Sequence, residues 1–177
     1  PLALVGTVCG WLYFVSEHAS EALSHAIGER PVVKAMLAGL ALAICGTVLP
    51  YTMFAGETQA DVLMETYLTI PAGVLIATGL VKAMLTPALI NLGWRGGHFF
   101  PVIFSGVSLG YGLAILTGAD PVFCVAVCTA STMGAVMRQP VMVVGLLLMC
   151  FPLKGIVCMI IAAVIAAGIP LPKPLRK

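Results

Sequence analysis

The stretch Gly93–Pro101, GWRGGHFFP, places three glycines, an arginine, a histidine and a proline between two long apolar runs. Pro101 suits the first turn of an apolar helix, because a backbone N–H would have no intrahelical partner there. A helix is therefore predicted to begin at about Phe99. The N–H groups of its first turn lack intrahelical partners, and the helix dipole adds about half a positive charge. These properties predict an anion site made of backbone amides.

The predicted anion site consists of five consecutive residues: Gly96, Gly97, His98, Phe99 and Phe100. The two glycines are expected to take positive φ and to let the chain approach an ion closely. Uncharged amides can bind an anion and still release it, as a permeation pathway requires. Arg95 could strengthen the field, or its side chain could extend to the membrane interface. The His98 side chain could equally pack or cap the helix.

The polar residues outside the glycine-rich stretch do not indicate that the protein is an enzyme. Glu17, His18, Glu21 and His25 could share a helix face and bind a divalent metal. A solvated polar end of an amphipathic helix is the simpler interpretation, and we favour it. No Ser-His-Asp order, HExxH motif or phosphate-binding loop occurs in the chain. We therefore predict no catalytic residue, no metal site and no cofactor.

Composition shows which elements must position the glycine-rich stretch. Of the 177 residues, 60% are hydrophobic and 9% charged, whereas a soluble domain carries about 25% charged residues. The net charge of +2 is too small and scattered to indicate a nucleic-acid partner. The start at Pro1 lacks the features of a signal peptide, so we expect a cut through a longer chain. The prediction is a multi-pass protein of the lipid bilayer, in a bacterial plasma membrane.

Charged residues, glycines and prolines divide the chain into predicted helices. These are residues 2–26, 32–49, 68–92, 99–117, 121–138, 141–151 and 153–169, followed by a basic tail at 170–177 that indicates a cytoplasmic C-terminus. A polar connection with Glu57, Asp61 and Glu65 is expected to form a water-facing helical turn. Several helices are shorter than the roughly 20 residues that cross a bilayer. Broken helices are typical of transporters and channels; irregular helices packed only for stability are the alternative.

The segment that follows the break contains small residues at helical spacing. Gly106, Gly110 and Gly112 include a small-xxx-small pattern, which allows helices to approach closely within lipid. We expect these glycines to serve packing rather than chemistry.

The segment Gly96–Gly110, GGHFFPVIFSGVSLG, resembles the GGxFxPxxxxGxxxG signature of the CLC family of chloride channels and proton-coupled chloride antiporters. Lys82 stands sixteen residues before His98, where the family commonly has a basic residue. The segment Gly134–Pro140, GAVMRQP, is similar to a later xxxxRxP segment. The order and spacing of the helices also agree with the second half of the family over essentially the whole chain.

The resemblance implies an all-α fold of tilted and broken helices, forming one of two inverted repeats in a homodimer with one ion pathway per subunit. It also implies that the amides of His98 and Phe99 face a chloride ion, which is the transported substrate. The family's GSGIP and GxEGP segments and its late tyrosine are absent, and Met149 stands where many relatives have glutamate. The chain is therefore expected to hold part of one anion site and no recognisable gate.

Three functions remain open at the level of sequence. The first is a chloride channel or proton-chloride antiporter of which this chain is a fragment. The second is a transporter of another anion, such as fluoride, on the same fold. The third is a membrane subunit that does not itself transport ions. Carboxylates within membranes are the usual proton carriers, so glutamates would distinguish a channel from an antiporter. The resemblance implies that these glutamates belong to the other half of the family's fold.

Overall fold

A computed structural model describes residues 1–53, 55–151 and 155–172 of the chain. Within these ranges the protein is all-α and contains no strand, which confirms the predicted fold class. The helices are α1 (Leu2–Ile27), α2 (Pro31–Val48), α3 (Glu57–Thr66), α4 (Ala72–Asn91), α5 (Phe99–Thr117), α6 (Pro121–Met137), α7 (Pro140–Leu147) and α8 (Ile156–Gly168). Short 3₁₀ turns at Pro50–Thr52 and Tyr67–Thr69 precede α3 and α4.

Local sequence signals explain where several helices begin and end. Proline is the first residue of three of them, at Pro31, Pro121 and Pro140, where its missing N–H leaves no donor unpaired. The Asp120 side chain caps α6 by accepting a hydrogen bond of 2.8 Å from the Phe123 N–H. Gly118 ends α5 in the left-handed conformation that glycine adopts without steric cost.

Some bounds differ from those expected from the sequence. The helix expected at 68–92 begins only at Ala72, because Pro71 has extended backbone (ψ 136°). The helix expected at 141–151 ends at Leu147, and the one expected at 153–169 is described from Ile156. Residues 152–154 and 173–177, which include Lys154 and most of the basic tail, lie outside the described ranges. The polar connection forms a full helix, α3, whose three carboxylates are exposed.

Among the residues that the structure describes, four helices, α1, α2, α4 and α5, are long and apolar enough to cross a bilayer. Helices α6 and α8 are apolar but have only 17 and 13 residues. At about 1.5 Å per residue, the eight residues of α7 reach less than half of the roughly 30 Å hydrocarbon core. Long and short apolar helices thus occur side by side in a multi-pass integral membrane protein.

Helix α5 packs between α4 and α6 and is largely buried. Its small residues lie against backbone: a Cβ on Gly110 would stand 2.5 Å from the Val125 Cα, and one on Gly112 would stand 3.0 Å from the Ala72 carbonyl oxygen. Any larger side chain would force the helices apart, which confirms the packing role expected for these glycines. Since Ala72 begins α4 and Gly112 lies late in α5, the two helices are antiparallel. The first turn of α5 therefore lies beside the C-terminal half of α4.

Candidate anion-binding site

Helix α5 begins at Phe99, as the sequence predicts, and His98 is its N-cap residue. The Val102 N–H donates to the His98 carbonyl oxygen over 3.1 Å. In an α-helix the N–H groups before that bond have no intrahelical acceptor, and here these are the amides of His98, Phe99 and Phe100, because Pro101 has no N–H. Within the described part of the chain, no side chain caps this end of α5. The amides at the helix start are thus available to a ligand.

The loop before α5 presents open backbone. Gly96 and Gly97 are exposed, and a Cβ built on either would meet no described atom within 4 Å. The expectation of positive φ at these two glycines is wrong, because it is Gly93 that has positive φ (99°). Gly93 ends α4 by donating its N–H to the Ile90 carbonyl oxygen over 3.0 Å. Gly93 therefore makes the turn, and the glycine pair leaves room beside the helix start.

A cavity of about 270 Å³ lies next to the first turn of α5. Gly96, Gly97 and Pro101 line it on the α5 side, and Lys82 and Thr86 line it from α4. The remaining polar lining residues are Thr52, from the 3₁₀ turn after α2, and Arg95, which is exposed. Apolar side chains such as Leu42 and Leu89 complete the cavity. The space is large enough for a chloride ion with part of its hydration shell.

Lys82 supplies a buried positive charge at this cavity. It is only 3% exposed, although a charged side chain within a membrane is costly unless it has partners. Its Nζ donates to the Thr52 carbonyl oxygen over 2.6 Å and lies 3.4 Å from the Met53 carbonyl oxygen. The sequence alone assigned Lys82 no role at the predicted anion site. Its isolation in an apolar helix was the signal that could have identified it as a site residue.

The five predicted site residues do not share one cavity. Gly96 and Gly97 line the cavity beside Lys82, whereas Phe100 lines a second cavity of about 320 Å³ that also contacts Glu57 and Asp61 of α3. The start of α5 therefore separates the two spaces.

The side chains of His98 and Phe99 pack against each other, with ring centroids 4.7 Å apart and an interplanar angle of 20°. Both residues are half-buried. The position of their backbone amides is determined by the start of the helix and not by the contact between the rings. The predicted role of the amides therefore does not depend on either side chain.

The polar end of α1 shows no metal-binding arrangement. No group of three His, Cys, Asp or Glu side chains suited to a metal ion exists among the described residues. His18 instead places its Nδ1 3.0 Å from the Phe14 carbonyl oxygen of the preceding turn.

The RQP segment joins two helix ends away from the cavity. Arg138 ends α6 with φ 58°, a left-handed conformation that is unusual for a residue other than glycine. Its Nη1 donates to the carbonyl oxygens of Ala167 and Ile169, over 2.9 Å and 2.8 Å, at the C-terminal end of α8. This arginine therefore binds α8 to α6 rather than contacting the candidate ion site.

Comparison with known proteins agrees with this description. The family profile described as "Voltage gated chloride channel" matches residues 1–170. No curated protein and no solved structure matches the chain. The match covers nearly the whole chain, including the glycine-rich loop, α5 and the RQP segment. The chain therefore belongs to the CLC family of voltage-gated chloride channels, membrane proteins that transport chloride and related anions and are not enzymes.

Proposed function

We propose that this chain provides part of the chloride pathway of a CLC transporter and that the start of α5 binds the ion. The observation that carries the proposal is the uncapped first turn of α5, whose Pro101 lines a cavity together with Gly96, Gly97 and Lys82, while His98 and Phe99 stand between these lining residues in the chain. In this proposal the amides of His98 and Phe99 are the principal ligands. Phe100 follows them in the same turn and contributes its backbone alone, since its side chain lines the other cavity.

The strength of such a site suits transport. A helix N-terminus stabilises a neighbouring anion by about 0.3–1 kcal/mol when exposed and by up to about 2 kcal/mol when partly buried. Lys82 and Arg95 add positive potential from the sides of the cavity, and Lys82 is already bonded to carbonyl oxygens. The anion therefore meets amides rather than a direct ion pair. This arrangement favours entry and still permits release.

Chloride is the substrate that we propose, and other small anions are the alternatives to compare. The complete natural protein containing this chain would be reconstituted in liposomes loaded with chloride, fluoride or nitrate, and ion efflux would be followed with selective electrodes. We expect chloride efflux to exceed fluoride efflux. Fluoride efflux exceeding chloride efflux would assign the protein to another anion, and the absence of any efflux would refute transport. A pH electrode in the same experiment reports whether protons move with chloride, which separates an antiporter from a channel.

Substitution of Gly97 tests the site itself. In the Gly97→Val variant a branched side chain stands between the cavity and the start of α5, so we expect chloride efflux to fall at least about tenfold, the change that corresponds to about 1.4 kcal/mol. The matched control is Gly39→Val in α2, because a Cβ there also meets no described atom within 4 Å. Normal efflux from Gly97→Val would remove the start of α5 from the pathway. Altered assembly of Gly97→Val with unchanged transport by its partner subunits would instead favour a subunit that does not itself transport ions.

The proposal includes a homodimer, as the family resemblance implies, and places it in a bacterial plasma membrane. The outward side chains of α8 support burial in lipid or against a second copy, since Val157 is 64% exposed and Ile161 is 54% exposed. The mass of the purified protein in detergent, measured by light scattering, tests this part of the proposal. A monomeric mass would contradict it.

A further inference from the structure

Lys82 bonds to backbone that lies thirty residues earlier in the chain. Burial of an ammonium group costs several kcal/mol unless hydrogen bonds replace its water, and Lys82 is almost fully buried. Its Nζ extends from α4 to the turn Pro50–Met53, which connects α2 to the segment before α3. The described acceptors are carbonyl oxygens of this turn. A lysine so placed stabilises the position of the turn relative to α4.

The turn offers acceptors because its other hydrogen bonds are internal. The Thr52 N–H and hydroxyl both donate to the Leu49 carbonyl oxygen, over 2.9 Å and 2.7 Å. The Met53 N–H donates to the Pro50 carbonyl oxygen over 3.2 Å. The carbonyl groups at the end of a helical turn have no intrahelical donor and carry partial negative charge. The Lys82 ammonium satisfies them, as cations do at helix C-termini.

The same turn faces the candidate anion site. Thr52 and Ala55 line the 270 Å³ cavity together with Lys82 and the glycine pair at the start of α5. The turn and the start of α5 are therefore two walls of one space. The distance between these walls determines how closely an anion at the α5 amides is enclosed.

A second contact connects this region to α5. The Lys82 Nζ lies 5.9 Å from the centre of the Phe104 ring, within the range of a cation–π interaction. Gly56, just after the turn, packs so closely on Phe104 that a Cβ there would stand 2.5 Å from the Phe104 Cβ. Lys82 thus lies where α4, the Pro50–Met53 turn and α5 meet.

We propose that Lys82 is a positioning residue of the anion pathway, whose ammonium holds the Pro50–Met53 turn against α4 and so sets the width of the cavity at the start of α5. The inference rests on the proposed function of that cavity. Lys82 acts on the anion through the turn that it holds, because its ammonium is already engaged with carbonyl oxygens. Its charge raises the potential in the cavity, yet charge alone does not account for the bonds to Thr52 and Met53.

Three variants of the complete protein separate position from charge. Lys82→Met keeps an apolar stem and removes both the donor and the charge. Lys82→Gln keeps an N–H donor without charge, and Lys82→Arg keeps both. The matched control is Lys34→Met, which removes a partly exposed cation of α2 that does not line the cavity.

Two measurements are made on each variant in liposomes. The first is the chloride concentration dependence of efflux, which separates the maximal rate from the half-saturating concentration. The second is the rate at which a charged thiol reagent modifies a cysteine introduced by Ala55→Cys, in a background without the natural cysteines. Ala55 is exposed and lines the cavity, so its reactivity reports the position of the turn without any transport.

We expect Lys82→Met to change the half-saturating chloride concentration and the reactivity at position 55 each by about tenfold, the scale of one lost hydrogen bond to a charged group. Lys82→Gln and Lys82→Arg should restore reactivity at position 55 to near its original value, and Lys34→Met should change neither quantity. If Lys82→Met does not yield folded protein, recovery of folding in Lys82→Gln supports the positioning role, because the neutral donor alone suffices.

Other results overturn the inference. Unchanged reactivity at position 55 in Lys82→Met, with altered efflux in both Lys82→Met and Lys82→Gln, would show that Lys82 acts by charge alone. Unchanged efflux and unchanged reactivity in Lys82→Met would show that Lys82 does not position the cavity. An unsubstituted protein without chloride efflux would refute the proposed function, while the reactivity measurement would still decide whether Lys82 holds the turn.

Discussion

Arg138 allows a stability prediction with a definite order among variants. Its guanidinium bonds to two carbonyl oxygens at the end of α8, over 2.9 Å and 2.8 Å, while its own backbone has φ 58°. Substitution of Arg138 therefore has two opposite effects on stability. Loss of the side chain removes the hydrogen bonds and destabilises the protein, whereas glycine, unlike alanine, adopts the left-handed conformation without steric cost.

The magnitudes follow from each effect. A hydrogen bond from a charged group contributes about 1.5–3 kcal/mol, and because Arg138 is partly exposed we take the lower end for its two bonds, about 3 kcal/mol together. A left-handed residue other than glycine costs about 1–2 kcal/mol. Arg138→Ala loses the hydrogen bonds and keeps the backbone cost, so it should lower the free energy of unfolding by about 3 kcal/mol. Arg138→Gly loses the same bonds but removes the backbone cost, so it should lower the free energy of unfolding by only about 1–2 kcal/mol.

The assay is thermal or denaturant-induced unfolding of the complete protein in detergent, with Arg95→Ala as the control. Arg95 is exposed, and loss of an exposed arginine usually changes stability by less than about 0.5 kcal/mol. We expect the order of stability to be unsubstituted protein, then Arg138→Gly, then Arg138→Ala. An alanine variant as stable as the glycine variant would refute the inferred backbone cost, and two variants as stable as the original would refute the contribution of the bonds to α8.

Two further predictions concern α6 and α4. Asp120→Ala removes the cap at the Phe123 N–H and should lower the free energy of unfolding by about 1 kcal/mol. Asp120→Asn keeps a side-chain oxygen and should recover most of this stability. An equal loss of stability in both variants would contradict a capping role. The Thr129 Oγ1 is buried without a hydrogen-bond partner in the described ranges, so Thr129→Val should leave the melting temperature unchanged or raise it. Thr78→Val should lower the melting temperature, since the Thr78 hydroxyl donates to the Val74 carbonyl oxygen over 2.7 Å. A larger loss in Thr129→Val than in Thr78→Val would contradict this reasoning.

Structural features that are determined by residues adjacent in the sequence were predictable from the sequence. Pro101 indicated a helix start, and α5 begins at Phe99, two residues before it. Gly110 indicated close packing, and its Cα lies against α6. In both cases the cause is local: the missing N–H of proline and the missing Cβ of glycine act wherever the chain folds. The same locality explains the correct assignment of the fold as all-α.

Features that depend on distant residues were not predictable in this way. Positive φ was expected at Gly96 and Gly97 but occurs at Gly93, because the path of the chain leaving α4 determines which glycine makes the turn. Phe100 was expected at the same site as the glycine pair, yet its side chain lines a different cavity. Adjacent residues of a helix point in different directions, so proximity in sequence did not place them in one space.

The sequence by itself determined a membrane protein of apolar helices, the position at which α5 begins, and the family to which the chain belongs. These follow from hydrophobicity, from proline and glycine geometry, and from a motif of fixed spacing. Only the tertiary structure decided that Lys82 reaches Thr52, thirty residues away, and that this contact borders the cavity at the start of α5. The physical reason is that a buried ammonium must find acceptors, and only the packing of α4 against the turn after α2 determines which acceptors lie within its reach.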